Sequence, residues 1–329
     1  MHVLLVYHGN IPVQLYGGIE RVTWALGKEL VKLGHKVTFL VNRGSYCDFA
    51  DVIYIDTSRS IVEQIKGDFD IVHFMIEVGK LQSFRLPYII TCQTNINNLN
   101  ELDENTVFCS KNHAERHNSE TYVHNCLDWD EYVTPDLNAQ RNYFHFLGLA
   151  AWRVKNVQGA IDVIKKTKTE RLRVLGGVRF NVKMGIRFTF SPKIRFMGMV
   201  GGEEKCQLLN GSKGLIFPVR WHEPFGLAII ESLYYGCPVF GTPYGSLPEL
   251  VTEEVGFLSN KKDELAEAVL NSDSFSPARC QEYVRDNFSS RKMATEYLAK
   301  YEKVLSSEPL NATSPRLKEV QQEKFLEWS

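Results

Sequence analysis

Residues 2–41 run from a short apolar stretch, "HVLLVY", through the helical "GGIERVTWALGKELVKLGHKVTFLV" to a second apolar stretch, "KVTFLV". Ile19, Val22, Leu26, Leu30 and Leu33 recur at helical spacing, and Gly34 stands where a helix C-terminal cap belongs. This is a strand–helix–strand unit, and it constrains the chain more than any other feature. Shorter apolar runs follow at "DVIYI", "DIVHFM", "PYIIT" and "NTVFCS" with polar or helical spacers between them. Such alternation predicts a doubly wound, mostly parallel sheet.

The pattern restarts near residue 143. "YFHFLGLAAW" reads as a strand, "NVQGAIDVIKKT" as an amphipathic helix, "LRVLGG" and "KIRFMGMV" as strands, and "EEKCQLLNGS" as a helix leading to the strand "KGLIFPV". Periodicity breaks over "CLDWDEYVTPDLNAQ", which suits a linker. The fold class expected is therefore α/β, with two Rossmann-like doubly wound domains. Their expected bounds are 1–140 for the first domain and 141–300 for the second. Residues 301–329 are expected to form a helical tail that packs back on the first domain.

Length and composition agree. A chain of 329 residues with 44% hydrophobic content can fill two cores. With 38 basic against 39 acidic residues, no composition-level case exists for a nucleic-acid partner. No leader-like start and no membrane-span-length apolar run is evident, so a cytoplasmic protein is expected, with peripheral contact at the inner face of a membrane as an open reading. Seven scattered cysteines without a C-x-x-C pair fit a reduced compartment without structural zinc.

The chemistry concentrates in "RWHEPFGLAIIESLYYG". Glu223 lies in the loop after a strand, and Glu231 lies inside the helix that follows. That helix is expected to begin near Phe225, with Pro224 at its first position, and to end near Gly236. Ligands of open α/β sheets bind over the carboxyl edge. Helix side chains lean toward the N-terminus, so Glu231 can reach the same mouth as the backbone N–H groups of Phe225, Gly226 and Leu227. N–H groups and helix dipole suit phosphate, and a carboxylate suits vicinal hydroxyls. Taken alone, an E-x7-E pair reads more plainly as a cap and a solvated helix face; the strand–loop–helix setting and "PFG" favour a site.

The stretch "PVRWHEPFGLAIIESLYYGCPVFGTPYGSLPELV" with "VGFL" resembles the signature of family 4 retaining glycosyltransferases, whose two Rossmann-like domains face across a cleft in the GT-B architecture. "YGGIERVTWALGKELVKLGHKVT" resembles that family's glycine loop and first helix. The resemblance implies that Glu231 binds the ribose, that Glu223, Phe225, Gly226 and Leu227 meet the transferred sugar and the phosphates, and that Gly17 and Gly18 lie on the diphosphate side. Gly176 and Gly177 are expected to give the donor room at a strand end, with Met199 counted beside them. Two family positions depart. Leu149 stands where an Arg is expected, leaving Lys155 and Arg153 for the diphosphate, and Gln93 in "TCQTN" stands where a His is common. Arg153 and Lys155 also read as solvated loop charges, and His73 in "DIVHFM" as either a functional or a packed core histidine.

Two Asp-x-Asp steps, Asp68–Asp70 and Asp128–Asp130, match the metal-binding pattern of another glycosyltransferase fold, but three-residue patterns are weak. The expectation is a retaining, metal-independent transfer from a UDP-sugar or GDP-sugar, a substrate and not a cofactor, to a saccharide or lipid-linked acceptor. By resemblance its setting is bacterial surface polysaccharide or glycolipid synthesis. The departing diphosphate itself takes the acceptor's proton, so Glu223, Lys155, Arg153 and Gln93 act by position and charge. The alternative is a nucleotide-sugar-binding partner subunit without turnover. His8, Tyr16, Asn95 and Asn97 are polar groups near strand ends on the acceptor side, and "MGIRFTFSPKIRF" reads as a hairpin in preference to a lipid-facing patch.

Overall fold

The computed structural model describes residues 1–13, 17–81, 83–181 and 187–329. Tyr16 and residues 184–186 lie outside them. The chain divides into two compact units, one of residues 1–128 with 288–321, the other of residues 129–287 with 322–329.

The first unit holds strands β1 (His2–Val6), β2 (Lys36–Val41), β3 (Asp51–Tyr54), β4 (Ile71–Phe74), β5 (Tyr88–Cys92) and β6 (Thr106–Phe108). They form one sheet in the order β3-β2-β1-β4-β5-β6, parallel throughout, with Val3 opposite both Val37 and Ile71. A parallel sheet is covered on both faces, so its strands are apolar without alternation; Val3, Leu4, Leu5 and Val6 are all buried. The helix Gly18–Lys32 buries Val22, Ala25, Leu26 and Leu30, and Gly34 follows at φ +87°. The helix Ser290–Leu305 also belongs to this unit, capped by Ser289, whose Oγ accepts from the Lys292 N–H at 3.3 Å. It carries Tyr297 and Tyr301 into the core beside His73.

The second unit repeats the plan with β7 (Tyr143–Leu147), β8 (Leu172–Leu175), a two-stranded ribbon β9 (Phe180–Asn181) and β10 (Arg187–Phe188), β11 (Ile194–Phe196), β12 (Ser212–Phe217), β13 (Val239–Gly241) and β14 (Gly256–Leu258). The main sheet runs β11-β8-β7-β12-β13-β14, again all parallel. Both six-stranded sheets thus have the Rossmann strand order. The core gathers Phe144, Phe146, Val174, Ile216 and Phe240 from strands with Ile161 and Ile164 from the helix Val157–Lys166. The ribbon is antiparallel and starts ahead of the expected hairpin, because "KIRF" is taken up by the main sheet as β11.

Two placements differ from the expected domain bounds. The expected bound at residue 300 cuts the helix Ser290–Leu305, which lies whole in the first unit. The end of the chain, expected as a helical tail on the first domain, has no helix after Leu305 among the described residues and splits: residues up to 321 stay with the first unit, and 322–329 lie on the second. There Trp328 packs on the core, and Lys262 N–H donates to the Ser329 carbonyl at 2.7 Å. An amphipathic helix shows in sequence which face is apolar, but not which core covers it.

Candidate functional site

In the second unit the chain leaves β7 toward β8 and β11, then returns at β12 and proceeds the other way to β13 and β14. The gap between the carboxyl ends of β7 and β12 is the topological switch point of this sheet. Two loops meet there. The loop after β7 ends in a 3-10 turn at Arg153–Lys155, followed by Asn156 at φ +55°. The loop after β12 carries Arg220, Trp221, His222 and Glu223. Arg220 N–H donates to the Val154 carbonyl at 2.7 Å, and Asn156 Nδ2 donates to the Pro218 carbonyl at 2.9 Å, tying the loops together.

That stitching brings Lys155 to Glu223. Lys155 Nζ lies 2.5 Å from Glu223 Oε2, and Trp221 Nε1 donates to the same oxygen at 2.8 Å. The ammonium also faces the rings of Phe217 and Trp221 at 5.2 and 5.0 Å from their centroids. Glu223 and Lys155 are both buried. A buried carboxylate or ammonium is tolerable only when paired and hydrogen-bonded, and both conditions hold for this pair.

The next residues turn into the helix Leu227–Tyr234. Its start is two residues later than expected, because Gly226 is the N-cap at φ +90°, a left-handed backbone that ends helical continuity on its N-terminal side. Pro224 therefore precedes the cap, and the buried Phe225 anchors the turn in the core. The first N–H groups of a helix have no partner within it, so the start at Leu227 is suited to an anion. A second glycine holds the loop from outside. Gly245 has φ +64°, and a Cβ there would lie 2.2 Å from Glu223 N and 2.4 Å from Glu223 O. Ser246 then bonds the loop twice, its N–H to the Glu223 carbonyl at 2.9 Å and its Oγ to the Phe225 carbonyl at 2.6 Å.

Glu231, within the helix, is buried and also lysine-paired. Its Oε1 accepts from Lys205 Nζ and, at 2.9 Å, from the Tyr132 hydroxyl. Lys205, Tyr132, Trp221, Gly245 and Ser246 were not singled out from sequence. A signal existed for Lys205, which shares the buried face of helix Gly202–Asn210 with Leu208 and Leu209; a lysine on an apolar face needs a carboxylate. Trp221 stands two positions from Glu223 and bonds it locally, whereas Tyr132, Gly245 and Ser246 are brought in by tertiary pairing.

The remaining expected residues fall as follows. Arg153 is exposed, its guanidinium 4.9 Å from the centre of the Phe325 ring, and Leu149 is half-buried. Gly176, at φ +118°, and Gly177 meet their own neighbours: added Cβ atoms would lie 2.2 Å from the Gly148 carbonyl oxygen and 2.5 Å from Ala150 Cβ. Their lack of side chains thus serves packing between strand ends. Met199 is exposed.

In the first unit Gly17 caps the helix Gly18–Lys32, and a Cβ on it would meet Glu20 and Val13, each at 2.8 Å. Gln93 and Asn125 exchange amide hydrogen bonds at 3.1 and 2.7 Å. His73 is fully buried, bonded to the Tyr301 hydroxyl at 2.8 Å and to Thr91 Oγ1 at 2.7 Å, and burial pushes its pKa down to about 3. It is a neutral core histidine, the packed reading. Of the Asp-x-Asp steps, Asp70 accepts from His2 N–H at 2.6 Å and Asp128 is ion-paired with Lys28 at 3.0 Å.

Residues 141–272 match the family model "Glycosyl transferases group 1". A curated relative, an uncharacterized 41.2 kDa protein in the cps region of Klebsiella pneumoniae, is 27% identical over 113 residues, which are 32% of this chain. The chain spans only 31% of the length of that relative in the match. Among solved structures, AviGT4, a glycosyltransferase involved in avilamycin A biosynthesis, matches with TM-score 0.73 at 19% identity over 93% of this chain and 98% of that one. The catalytic domain of starch synthase IV from Arabidopsis thaliana, bound to ADP and acarbose, matches at 0.71 and 13% over 93% and 99%. The Anabaena HepE protein in complex with UDP-glucose matches at 0.65 and 15% over 93% and 100%. These distant structural likenesses establish the fold. The match over residues 141–272 spans both the Lys155–Glu223 pair and the helix that carries Glu231.

Proposed function

We propose that the chain moves a sugar from a nucleotide-diphosphate sugar to an acceptor hydroxyl, with retention at the anomeric carbon and without a metal ion. The observation that carries this reading is the switch-point arrangement. Glu223 with Lys155, a glycine-capped helix start and Glu231 with Lys205 all belong to the carboxyl edge of one sheet. In the proposed complex the diphosphate lies over the start of helix Leu227–Tyr234, and the ribose hydroxyls bond Glu231. Lys155 then shifts part of its charge from Glu223 to the departing diphosphate, where negative charge grows as the sugar leaves. The diphosphate takes the acceptor proton, so no side-chain base is required. Engagement of Asp70 and Asp128 by the fold supports phosphate handling by cations and helix N–H groups.

A UDP-sugar or GDP-sugar donor and a saccharide or lipid-linked acceptor fit this scheme, in surface polysaccharide or glycolipid synthesis; the cps-region relative supports that setting. A second reading, donor binding without turnover, is favoured by one observation: Lys155 already has its charge matched by Glu223. Both are tested by incubating the protein with UDP-α-glucose or GDP-α-mannose, with and without a chelator, and following the released sugar by proton NMR. The α-anomer appearing first, unaffected by chelation, is the expected result. The β-anomer first would overturn retention, loss of turnover on chelation restored by manganese would overturn metal independence, and binding without release would favour the second reading.

A further inference from the structure

At the opposite, amino edge of the second unit's sheet lies a cavity of about 890 Å³, built from the starts of β7, β8, β11 and β12. Seven cationic side chains line it against the single carboxylate of Glu170. The whole chain is almost neutral, with a formal net charge of −1, so this is a local concentration of charge. Lys213 is paired with Glu170 at 2.9 Å. Two others are held without being neutralised: Lys193 donates to the Thr167 carbonyl at 2.6 Å, and Arg141 to the carbonyls of Ser212 and Tyr235 at 2.6 and 2.8 Å. Carbonyl oxygens position a cation but cancel no charge. Arg141 Nε, moreover, is buried with no hydrogen-bond partner among the described residues.

Arg171, Arg173, Arg195 and Lys168 complete the lining, and none of them has a carboxylate within ion-pair distance among the described residues. Arg173 and Arg195 sit directly opposite one another in the β8–β11 register, and Arg173 lies over the Tyr143 ring at 3.6 Å. Like charges at opposed positions of neighbouring strands destabilise a sheet. A fold that retains such a pair beside a half-buried arginine whose Nε has no partner among the described residues is one in which an anion relieves the repulsion. Guanidinium groups bond phosphate oxygens in pairs, which suits them to this task.

We infer that this cavity binds a ligand carrying two or more phosphate groups, at a site separate from the sheet edge that holds Glu223 and Glu231. Such phosphates come either from a free phosphorylated compound or from the headgroup of an anionic lipid. The charge is confined to this one cavity at the strand starts, which suits a compact ligand better than a nucleic-acid strand that would need a basic groove along its length.

The test is titration calorimetry of the full-length protein with inorganic tripolyphosphate in phosphate-free buffer; any binding at the sheet edge that holds Glu223 and Glu231 would be untouched by substitutions in this cavity. Wild type is expected to bind, and the double variant Arg171→Gln/Arg195→Gln to bind at least tenfold more weakly. The charge-matched control Lys292→Gln/Lys303→Gln, on exposed positions of the first unit, is expected to match wild type. Without ligand, Arg195→Gln is expected to unfold at or above the wild-type temperature, since one of two opposed charges is gone; a purely structural arginine would give a lower value. Flotation with cardiolipin-containing vesicles, whose headgroup carries two phosphates, separates the sources: retention on vesicles reversed by tripolyphosphate assigns a lipid headgroup, and no retention assigns a free ligand. No tripolyphosphate binding, equal loss in the control, or tighter binding of a single-stranded RNA would overturn the proposal.

Discussion

At the scale of single residues, the site depends on buried charges that are safe only in pairs. Lys155→Ala is expected to lower kcat by about 10²–10³-fold, the usual loss when one group stabilising developing charge is removed. It should also leave Glu223 buried without its cation, a cost of about 3 kcal/mol; steady-state kinetics and urea unfolding measure the two effects. The acids and glycines of this loop could be read in the sequence, because "EPFGL" follows an apolar strand. Their pairing with lysines could not. Lys155 is 68 positions from Glu223 and Lys205 is 26 from Glu231, and only the fold brings such pairs together.

Buried histidines give a second residue-scale expectation. His73 and His145 are both held near a pKa of about 3 by burial, with His145 bonded to Ser212 at 2.7 Å and to Ser232 at 2.8 Å. Unfolding raises each toward its ordinary value of 6.5, so the unfolded chain binds more protons between the two values. Stability is therefore full above pH 6.5 and falls as pH drops toward 3, with a limiting slope of about 1.4 kcal/mol per pH unit for each group. In scanning calorimetry between pH 7.5 and 4.5, His145→Gln should start at a lower Tm than wild type and show a shallower decline. An unchanged slope would show that this histidine does not control acid lability.

At the scale of elements, strands and helix ends were the most legible parts. Parallel strands buried on both faces are continuous apolar runs, and the stop at Gly34 follows from a backbone at φ +87° that favours glycine. The start of helix Leu227–Tyr234 was misplaced because Pro224 imitates a first helical residue, whereas the left-handed Gly226 sets the true boundary. Gly245→Ala tests how the preceding loop is held. A methyl there would meet the Glu223 backbone at 2.2 Å while φ is +64°, so the two segments must separate. We expect a fall in Tm of several degrees and loss of nucleotide binding, whereas Gly34→Ala, with nothing within 4 Å of the added carbon, should incur only the left-handed strain of about 1–2 kcal/mol. Equal effects on nucleotide binding would contradict a role for Gly245 in holding Glu223.

At the scale of the whole molecule, the chain passes between its two units at 128–129, again at 287–288, and once more at 321–322. The two-sheet plan was visible as a repeated strand–helix alternation, while these later passes leave no mark on periodicity. They carry a consequence for fragments. Residues 1–128 alone lack helix Ser290–Leu305, whose Tyr297 and Tyr301 are fully buried beside His73. That fragment is expected to lose cooperative unfolding and to bind hydrophobic dyes, and adding residues 288–321 through a flexible linker should restore a sharp transition. A cooperative 1–128 fragment would contradict this division.

The central claim is that Glu231 and its neighbours hold a nucleotide-sugar. The most direct test is the change in Tm produced by UDP, GDP and ADP and their sugars, on wild type and on Glu231→Gln. The variant leaves Lys205 without a charge partner, so its unliganded Tm will itself be lower, and the ligand-induced shift is the quantity to compare. At about a hundred times its Kd a ligand adds about 2.7 kcal/mol, which moves the Tm of a domain this size by several degrees. The account predicts such a shift for one nucleotide family in wild type and its loss in the variant. An equal shift in both proteins would contradict a site at Glu231, and no shift with any of the nucleotides would contradict a preformed donor site.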